Sequence, residues 1–461
     1  MLRITTAFTL LALAMLIAGN ATAGDGAGYT LTEIPGQIGI GDMTADGSVL
    51  AGSYQSGGHF IWTRENGFTN RAGVGIGTGI SDDGSVLTGN TLDENGDRTA
   101  GIWLDGANWM SLGGIPGGLP LDGVLSSMFS VSGDGSTVVG LAWNDMGKGH
   151  AFRWDATNGI VDLGSTVEGR SSRANKVNDD GSMIIGWQED STGFRQACYW
   201  LDGVQTVLQN GALPLGEPFD VSSDGSLICG GGAGDFTNEA WIWNEQDGLR
   251  ALGNLPEGSV FTRTVATDMS DDGSVVCGWS GDTFDRQAVY WTEETGLVYL
   301  RDHLLSLGVT EVEEIYITGV AEVSEDGNTI VAFGVDQSFQ SRTFVIDFPS
   351  DDLTVSFDAL TPTLALPGIA ELEIRVSNPT SEDMQLAGTI EVTLCNGATR
   401  TIRTAERFLP AGAERTLSWS LRIPNNPKTC DCDLEFTVVV DDMTGDASAT
   451  ASCVVSTTCN L

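Results

Sequence analysis

The sequence predicts an all-β, repeat-built chain in which a seven-bladed β-propeller is followed by an immunoglobulin-like β-sandwich. An Asp-Gly turn and a tryptophan-ended strand recur together along most of the chain, which predicts propeller blades. Short alternating segments after the last repeat predict the sandwich. We therefore divide the chain into an export signal (residues 1–23), the propeller (24–348) and the sandwich (352–461).

The N-terminus has the pattern of a secretory signal peptide. Arg3 supplies the charged start, residues 7–18 are an apolar stretch, and Ala21-Thr22-Ala23 matches the small-x-small cleavage pattern. We expect the mature chain to begin at Gly24. No later segment has about 18 uninterrupted apolar residues, so we expect no membrane span. The predicted location is extracellular or at the cell surface, with the periplasm as an alternative.

The composition is strongly acidic. The 461 residues include 62 Asp and Glu against 22 Lys and Arg, for a net charge of -40. Binding to nucleic acid requires clustered cationic side chains that neutralise phosphates. We therefore do not expect nucleic acid to be a partner of this chain. Such a charge balance is typical of a solvated surface.

The repeat is marked by seven Asp-Gly steps within one pattern: an apolar residue, Ser, Thr or Asn, any residue, Asp, Gly, and usually Ser. The seven aspartates recur at similar intervals, at Asp46, Asp83, Asp134, Asp180, Asp224, Asp272 and Asp326. Asp-Gly between apolar residues is a strong hairpin signal, because both residues tolerate the backbone of a tight turn. We interpret these steps as structural turns rather than calcium loops, since their spacing is not that of an EF-hand.

A second mark follows each of these aspartates at a nearly constant distance: Trp62, Trp103, Trp154, Trp200, Trp243, Trp291 and, in the seventh copy, Ile346. We interpret this series as core packing between sheets. The seventh repeat lacks a fourth strand after residues 344–348, whereas the strand-like segment 29–36 precedes the first repeat. We expect the N-terminal strand to complete the last blade and close the ring, which removes an exposed sheet edge.

One copy of the repeat resembles a known family. His150-Ala151-Phe152-Arg153-Trp154, followed by Gly159-Ile160-Val161-Asp162-Leu163-Gly164, is similar to the HAF repeat of bacterial extracellular proteins. The resemblance covers residues 28–348 through short motifs, and it implies bacterial origin and export. It implies no catalytic residue, because the family has no established activity.

The segment from residue 352 to the end of the chain carries seven strand-like runs, with clear alternation at residues 372–376 and 416–421. Residues 376–379 and 409–412 resemble adhesion-type sandwich modules of bacterial surface proteins. Five of the eight cysteines lie in this segment, and export favours disulfides among them: Cys395, Cys430, Cys432, Cys453 and Cys459. Their spacing leaves the pairing open, and because five is odd, at least one of these thiols stays free or pairs elsewhere. We expect Cys198, Cys229 and Cys277 to stay reduced in the propeller core.

The candidate site lies on the first strand of each repeat, four positions before the Asp of the turn. Acidic side chains occupy four of these seven positions: Asp42, Asp220, Asp268 and Glu322. Alternation along the strand directs them into a central channel, with Lys176 at their flank. We expect either a water-filled acidic channel or a weak calcium site that does no chemistry.

These observations predict an exported, non-catalytic binding or scaffold protein with an extracellular protein or glycan as partner. The sequence contains no nucleophile elbow and no zinc-protease motif. The alternative is an enzyme that acts on extracellular polysaccharide through carboxylates at the channel mouth. No cofactor is expected beyond calcium.

Overall fold

The computed structural model describes residues 29–348, apart from 105–107, 212, 234–238, 254, 256–262 and 283–284, and the strands between residues 354 and 459. In this last part, side chains are described at only a few positions. The chain forms two compact units that divide between Phe348 and Pro349. The described residues contain no helix long and apolar enough to cross a membrane.

In its described residues, the first unit is all-β except for one short helix and one 3-10 turn. Its strands in chain order are β1 (Thr30–Ile34), β2 (Ile38–Met43), β3 (Val49–Tyr54), β4 (His59–Thr63), β5 (Gly67–Arg71), β6 (Thr78–Ile80), β7 (Leu87–Leu92), β8 (Arg98–Leu104), β9 (Asn108–Gly113), β10 (Ser126–Val131), β11 (Thr137–Trp143), β12 (Gly149–Asp155), β13 (Gly159–Gly164), β14 (Ser172–Val177), β15 (Met183–Glu189), β16 (Arg195–Leu201), β17 (Val204–Val207), β18 (Gln209–Asn210), β19 (Leu213–Val221), β20 (Ile228–Ala233), β21 (Ala240–Asn244), β22 (Gly248–Gly253), β23 (Arg263–Met269), β24 (Val276–Gly281), β25 (Gln287–Thr292), β26 (Gly296–Tyr299), β27 (Ile315–Val323), β28 (Thr329–Asp336) and β29 (Ser341–Asp347). The helix α1 (Leu300–Ser306) and the 3-10 turn (Thr310–Val312) lie between β26 and β27.

Most of these strands form antiparallel sets of four in chain order: β2 to β5, β6 to β9, β10 to β13, β14 to β17, β19 to β22, and β23 to β26. The two-residue strand β18 pairs with the edge of the fifth set, at β19. A single ladder pair, Gly231 with Val265, also links the fifth and sixth of these sheets. The remaining sheet has the order β27, β28, β29 and β1. The N-terminal strand therefore pairs with the last strand of the unit, as the sequence predicts, with Thr30 opposite Asp347 and Ile34 opposite Thr343.

The first strands of the sheets contact one another in a closed cycle. β2 contacts β6, β6 contacts β10, and the series continues through β14, β19, β23 and β27 back to β2. Apolar side chains fill the space between neighbouring sheets; for example, Ile34 packs with Trp62 of β4 and Val345 of β29. The core is therefore divided into layers between successive sheets.

The Asp-Gly turns share one hydrogen-bond pattern, which explains why the repeat needs those residue types. In the second repeat, the Ser81 hydroxyl donates to Asp83 Oδ1 at 2.8 Å and accepts from Val86 N–H at 2.9 Å. Asp83 Oδ1 also accepts from Ser85 N–H at 2.8 Å. Gly84 has a φ of 72°, a left-handed conformation that glycine adopts without strain. Hydrogen bonds from Ser85 and Ser81 lower the pKa of the Asp83 carboxyl.

The three cysteines of the first unit are free and fully buried, as the sequence predicts. Burial raises the pKa of the Cys198 thiol to about 12 and those of Cys229 and Cys277 well above their usual value. Each lies in a layer between sheets, among apolar residues. These thiols are therefore both inaccessible and protonated at neutral pH.

We expect Cys198, Cys229 and Cys277 to resist iodoacetamide at pH 8 in the native protein, because only the exposed thiolate reacts quickly. Intact-mass measurement before and after addition of guanidinium chloride would show three further alkylations only in the denatured protein. Full labelling of any of the three within minutes under native conditions would contradict their placement in the core.

The second unit consists of two sheets in its described part. Its strands are β30 (Thr354–Leu360), β31 (Thr363–Leu366), β32 (Gly368–Asn378), β33 (Met384–Thr393), β34 (Thr399–Arg403), β35 (Arg407–Leu409), β36 (Ala413–Ile423), β37 (Asp433–Asp442) and β38 (Ser448–Cys459). One sheet has the order β30, β32, β36, and the other has β31, β38, β37, β33, β34, with β35 also paired to β33.

This unit has more strands than the seven that the sequence predicts. β31 is additional and pairs in parallel with β38, and one predicted strand is divided into β34 and β35. Of the disulfide candidates, Cys395, Cys430 and Cys432 lie outside the described residues. Cys453 and Cys459 lie in β38, but their side chains are not described. The disulfides therefore stay a prediction.

Candidate functional site

The four predicted carboxylates meet at the centre of the first unit. Asp42 lies on β2, Asp220 on β19, Asp268 on β23 and Glu322 on β27, and all four residues are buried. Together with Lys176 of β14 they line a central pocket of about 80 Å³. Alternation along the first strands thus directs these side chains to one place, while the neighbouring apolar residues face the layers between sheets.

Lys176 lies between carboxylates rather than at their flank. Its Nζ atom is 3.5 Å from Asp42 Oδ1 and 3.7 Å from Glu322 Oε2. Burial opposes the charge of this ammonium group, but the nearby carboxylates of Asp42 and Glu322 outweigh it and hold the pKa of Lys176 well above its usual value. The central pocket therefore contains its own permanent cation.

Three of the carboxylates also accept a backbone hydrogen bond from the next sheet. In each case the donor is the apolar residue at the end of the neighbouring first strand. The pairs are Ile80 N–H to Asp42 Oδ2 at 3.0 Å, Met269 N–H to Asp220 Oδ2 at 3.2 Å, and Val323 N–H to Asp268 Oδ2. Each of these aspartates thus joins two adjacent sheets, a structural role that the strand pattern alone does not reveal.

Protonation relieves part of the repulsion in the central pocket. Burial and the Asp220 carboxylate raise the pKa of Asp268 well above its usual value, and the two side chains share a hydrogen bond. Two carboxyl groups can hydrogen-bond only if one carries a proton. Burial, outweighing the attraction of Lys176, raises the pKa of Glu322 to about 8.

Sequence reasoning missed a second acidic group in the same pocket, formed by Asp82, Asp179 and Glu325. We call these three residues the turn carboxylates, because each immediately precedes an Asp-Gly turn. Each offers one oxygen atom, and these oxygens lie within 4.8 Å of one another. Burial and the neighbouring carboxylates raise the pKa of Asp179 to about 6 and that of Glu325 to about 7. Acidic residues at four of the seven positions before the turns were the available signal.

The residues immediately before the Asp-Gly turns also take part in backbone hydrogen bonds between neighbouring turns. An N–H group of one turn donates to an oxygen of another at most of the described junctions. The pairs are Asp82 to Gly133 (3.0 Å), Asp134 to Asp179 (3.0 Å), Asp179 to Ser223 (3.3 Å), Asp271 to Glu325 (2.8 Å) and Glu325 to Ala45 (3.1 Å). The turn carboxylates are therefore held together by the backbone despite their charge.

We expect the first unit to be most stable near pH 5 and to lose about 3 kcal/mol of unfolding free energy between pH 5 and pH 8. The raised pKa values of Glu322, Glu325 and Asp179 mean that the folded state retains protons that the unfolded state has released, so stability falls as pH rises. Below about pH 4 stability falls again, because the turn aspartates such as Asp83 have lowered pKa values.

Urea denaturation at pH 5, 6.5 and 8 measures this profile. The pair Glu322→Gln and Glu325→Gln should flatten it between pH 5 and pH 8, whereas Glu311→Gln, an exposed control, should leave it unchanged. A urea midpoint that rises steadily from pH 5 to pH 8 would contradict the assigned pKa directions.

Comparison with known proteins does not assign a family. No known protein family matches the chain, and neither does any curated protein. Solved structures with similarity include TolB of Agrobacterium tumefaciens, at 13% identity over 70% of this chain and 98% of that chain, with a TM-score of 0.37. TolB of Acinetobacter baumannii has 12% identity over 68% and 65%, with a TM-score of 0.34.

A third similarity is to the alkylpurine DNA glycosylase AlkC of Pseudomonas fluorescens, at 14% identity and a TM-score of 0.18. It covers 23% of this chain, which spans only 29% of that protein. All three TM-scores are low, from 0.18 to 0.37.

Proposed function

We propose that this chain is an exported, non-catalytic binding or scaffold protein that acts outside the cell or at its surface. In this proposal residues 24–348 are a seven-bladed β-propeller closed by its N-terminal strand, and residues 352–461 are an immunoglobulin-like module. The contact cycle of the first strands and the pairing of β1 with β29 support the propeller. The partner is an extracellular protein or a glycan.

The observation that carries this proposal is that the central carboxylates form hydrogen bonds and ion pairs within the protein. Asp42, Asp220 and Asp268 accept hydrogen bonds from the next sheet. Lys176 forms ion pairs with Asp42 and Glu322. Buried polar groups in such a network hold the sheets in one arrangement. The centre of the unit thus serves to make it rigid, and a rigid framework presents surface loops for binding.

One observation favours the alternative, a hydrolase that acts on extracellular polysaccharide. Glu322 has a pKa of about 8 and lies beside other carboxylates, and a carboxyl group with a raised pKa is the general acid of glycosidases. In that function Glu322 would be the acid, and Asp42 would be the partner carboxylate across Lys176.

Incubation of the mature protein, starting at Gly24, with soluble polysaccharides distinguishes the two functions. We expect no new reducing ends above those in buffer, and the same result for Glu322→Gln. The exposed control is Glu311→Gln. Release of reducing ends that Glu322→Gln abolishes and Glu311→Gln retains would overturn the non-catalytic proposal in favour of the hydrolase.

Calcium binding by Asp42, Asp220, Asp268 and Glu322 stays a prediction. Because Lys176 and backbone N–H groups already engage several of these oxygens, we expect 10 mM calcium to stabilise the protein by only about 1 kcal/mol. The double variant Asp220→Asn with Asp268→Asn should remove most of the resulting rise in melting temperature.

The matched control for calcium is Asp82→Asn with Asp179→Asn, which changes only the turn carboxylates. If calcium still raises the melting temperature of the Asp220→Asn and Asp268→Asn variant but not that of this control variant, calcium binds at the turn carboxylates instead. A calorimetric titration without measurable heat at 10 mM calcium would eliminate both sites.

A further inference from the structure

A second pocket lies away from the central one, between the fourth and fifth sheets of the first unit. It has a volume of about 400 Å³, within the range of small-ligand sites. Its lining includes Tyr199 and Leu201 of β16, Trp243 of β21 and the turn at residues 225–227. Its polar lining comes from the β21–β22 turn: Asn244, Glu245, Gln246 and Asp247.

The repeat provides an internal comparison, because every junction between sheets has an equivalent place. At three other junctions a further side chain lies against the aromatic ring there. Trp109 lies 5.4 Å from the ring of Trp103, and the guanidinium of Arg250 lies 4.8 Å from that of Trp291. At the sixth sheet, His303 stacks on Tyr290 at 4.7 Å.

At the junction between the fourth and fifth sheets, the rings of Tyr199 and Trp243 lie next to each other in the lining of the pocket. The centroids of Tyr199 and Trp243 are 6.0 Å apart, with their planes inclined at 36°. Both residues are half-buried, so part of each side chain is accessible from the pocket. The two rings therefore form one continuous aromatic surface.

Some polar side chains of the β21–β22 turn stabilise the turn, and others are exposed to solvent. Asn244 Oδ1 accepts from Asp247 N–H at 2.6 Å, which holds the turn in place. Glu245 and Gln246 are exposed beside the pocket. A carboxylate accepts hydrogen bonds and an amide both donates and accepts, which suits a ligand rich in hydroxyl groups.

The charge of the lining residues further limits the class of ligand that the pocket can bind. Glu245 and Asp247 are acidic and no Lys or Arg is among the described lining residues, so an anionic ligand would be repelled. Because the two rings contact each other, they do not form opposite walls around a cation. An apolar aromatic surface beside hydroxyl-binding groups matches a neutral sugar, which has apolar C–H faces and a polar hydroxyl rim.

We propose that this pocket binds a neutral oligosaccharide, with one sugar ring against Trp243 and Tyr199 and its hydroxyl groups on Glu245 and Gln246. This inference rests on the proposed binding function and specifies its ligand class. The other repeats supply replacements that fit the fold, since Ile346 and Ile242 occupy the positions equivalent to Trp243 and Tyr199.

Saturation-transfer NMR and fluorescence titration of the mature protein would test the pocket, with cellotetraose, chitotetraose, maltotetraose and xylotetraose as probes. We expect at least one probe to bind, with Trp243→Ile and Tyr199→Ile each weakening it tenfold or more. Gln246→Ala should weaken it severalfold. The matched control is Tyr290→Ile, the equivalent change in the sixth sheet, which should leave binding unchanged.

Thermal melting of each variant confirms that it is folded before binding is compared. If none of the four probes binds, or if both isoleucine variants bind as tightly as the unmodified protein, the proposal is wrong. Displacement of the sugar by tetramethylammonium would overturn it in favour of a cation site. These outcomes are independent of the reducing-end assay, which reports on Glu322, so a hydrolytic central pocket would not by itself remove this site.

Discussion

Replacement of Lys176 by methionine should lower the unfolding free energy of the first unit by about 3 kcal/mol at pH 9. The ammonium group contacts Asp42 and Glu322, and without it every ionisable side chain in the described lining of the central pocket is acidic. An uncompensated charge in a buried site costs more than the ion pair contributes, because water cannot replace the lost partner. Urea denaturation of the mature protein measures the loss.

The effect should depend on pH in a way that ordinary loss of packing does not. At pH 9 Glu322 is ionised and at pH 5 it carries a proton, because its pKa is about 8. We therefore expect the Lys176→Met penalty to shrink to about 1 kcal/mol at pH 5. Lys148→Met is the control, and an equal penalty at both pH values would refute the charge-based explanation.

Deletion of residues 24–36 should lower the melting temperature of the whole first unit by about 10 °C and promote self-association. The deletion removes β1, which pairs with β29 along its length. It also removes Ile34, which packs with Trp62 of the first sheet and Val345 of the last. The exposed edge of β29 can then pair with another molecule. Calorimetry and size-exclusion chromatography would measure both effects.

Two point variants separate strand pairing from surface contacts in this prediction. Glu33 forms an ion pair with Arg342, and because the pair is partly exposed, Glu33→Gln should cost well under about 1 kcal/mol. Ile34→Ala should cost about 3 kcal/mol, because Ile34 is fully buried. A truncated protein that stays monomeric and melts at the original temperature would show that β1 does not stabilise the unit.

Local features of the first unit were predictable because their physical causes lie close together in the chain. The Asp-Gly turns depend on hydrogen bonds between near neighbours in sequence, such as Ser81 with Asp83 and Val86. The burial of Trp200 and Cys198 follows from alternation along one strand. The second unit was less predictable, since β31 exists only through pairing with the distant β38.

The candidate site shows the same division between local and long-range causes. By itself, the sequence determined that Asp42, Asp220, Asp268 and Glu322 share one strand position and hence one pocket. Only the tertiary structure decided that the long side chain of Lys176 reaches Asp42 and Glu322, which belong to the first and last repeats of the unit.

The turn carboxylates and the aromatic pocket were likewise decided by the tertiary structure. Asp82, Asp179 and Glu325 come from three separate repeats, and Tyr199 meets Trp243 across a junction between sheets. The alternation of side chains along a strand and the hydrogen bonds of a turn involve residues close together in the chain. Both can therefore be predicted from the sequence. Which side chains meet across the sheets depends on how the sheets are arranged around one another, because contacts between distant segments form only when the whole unit folds.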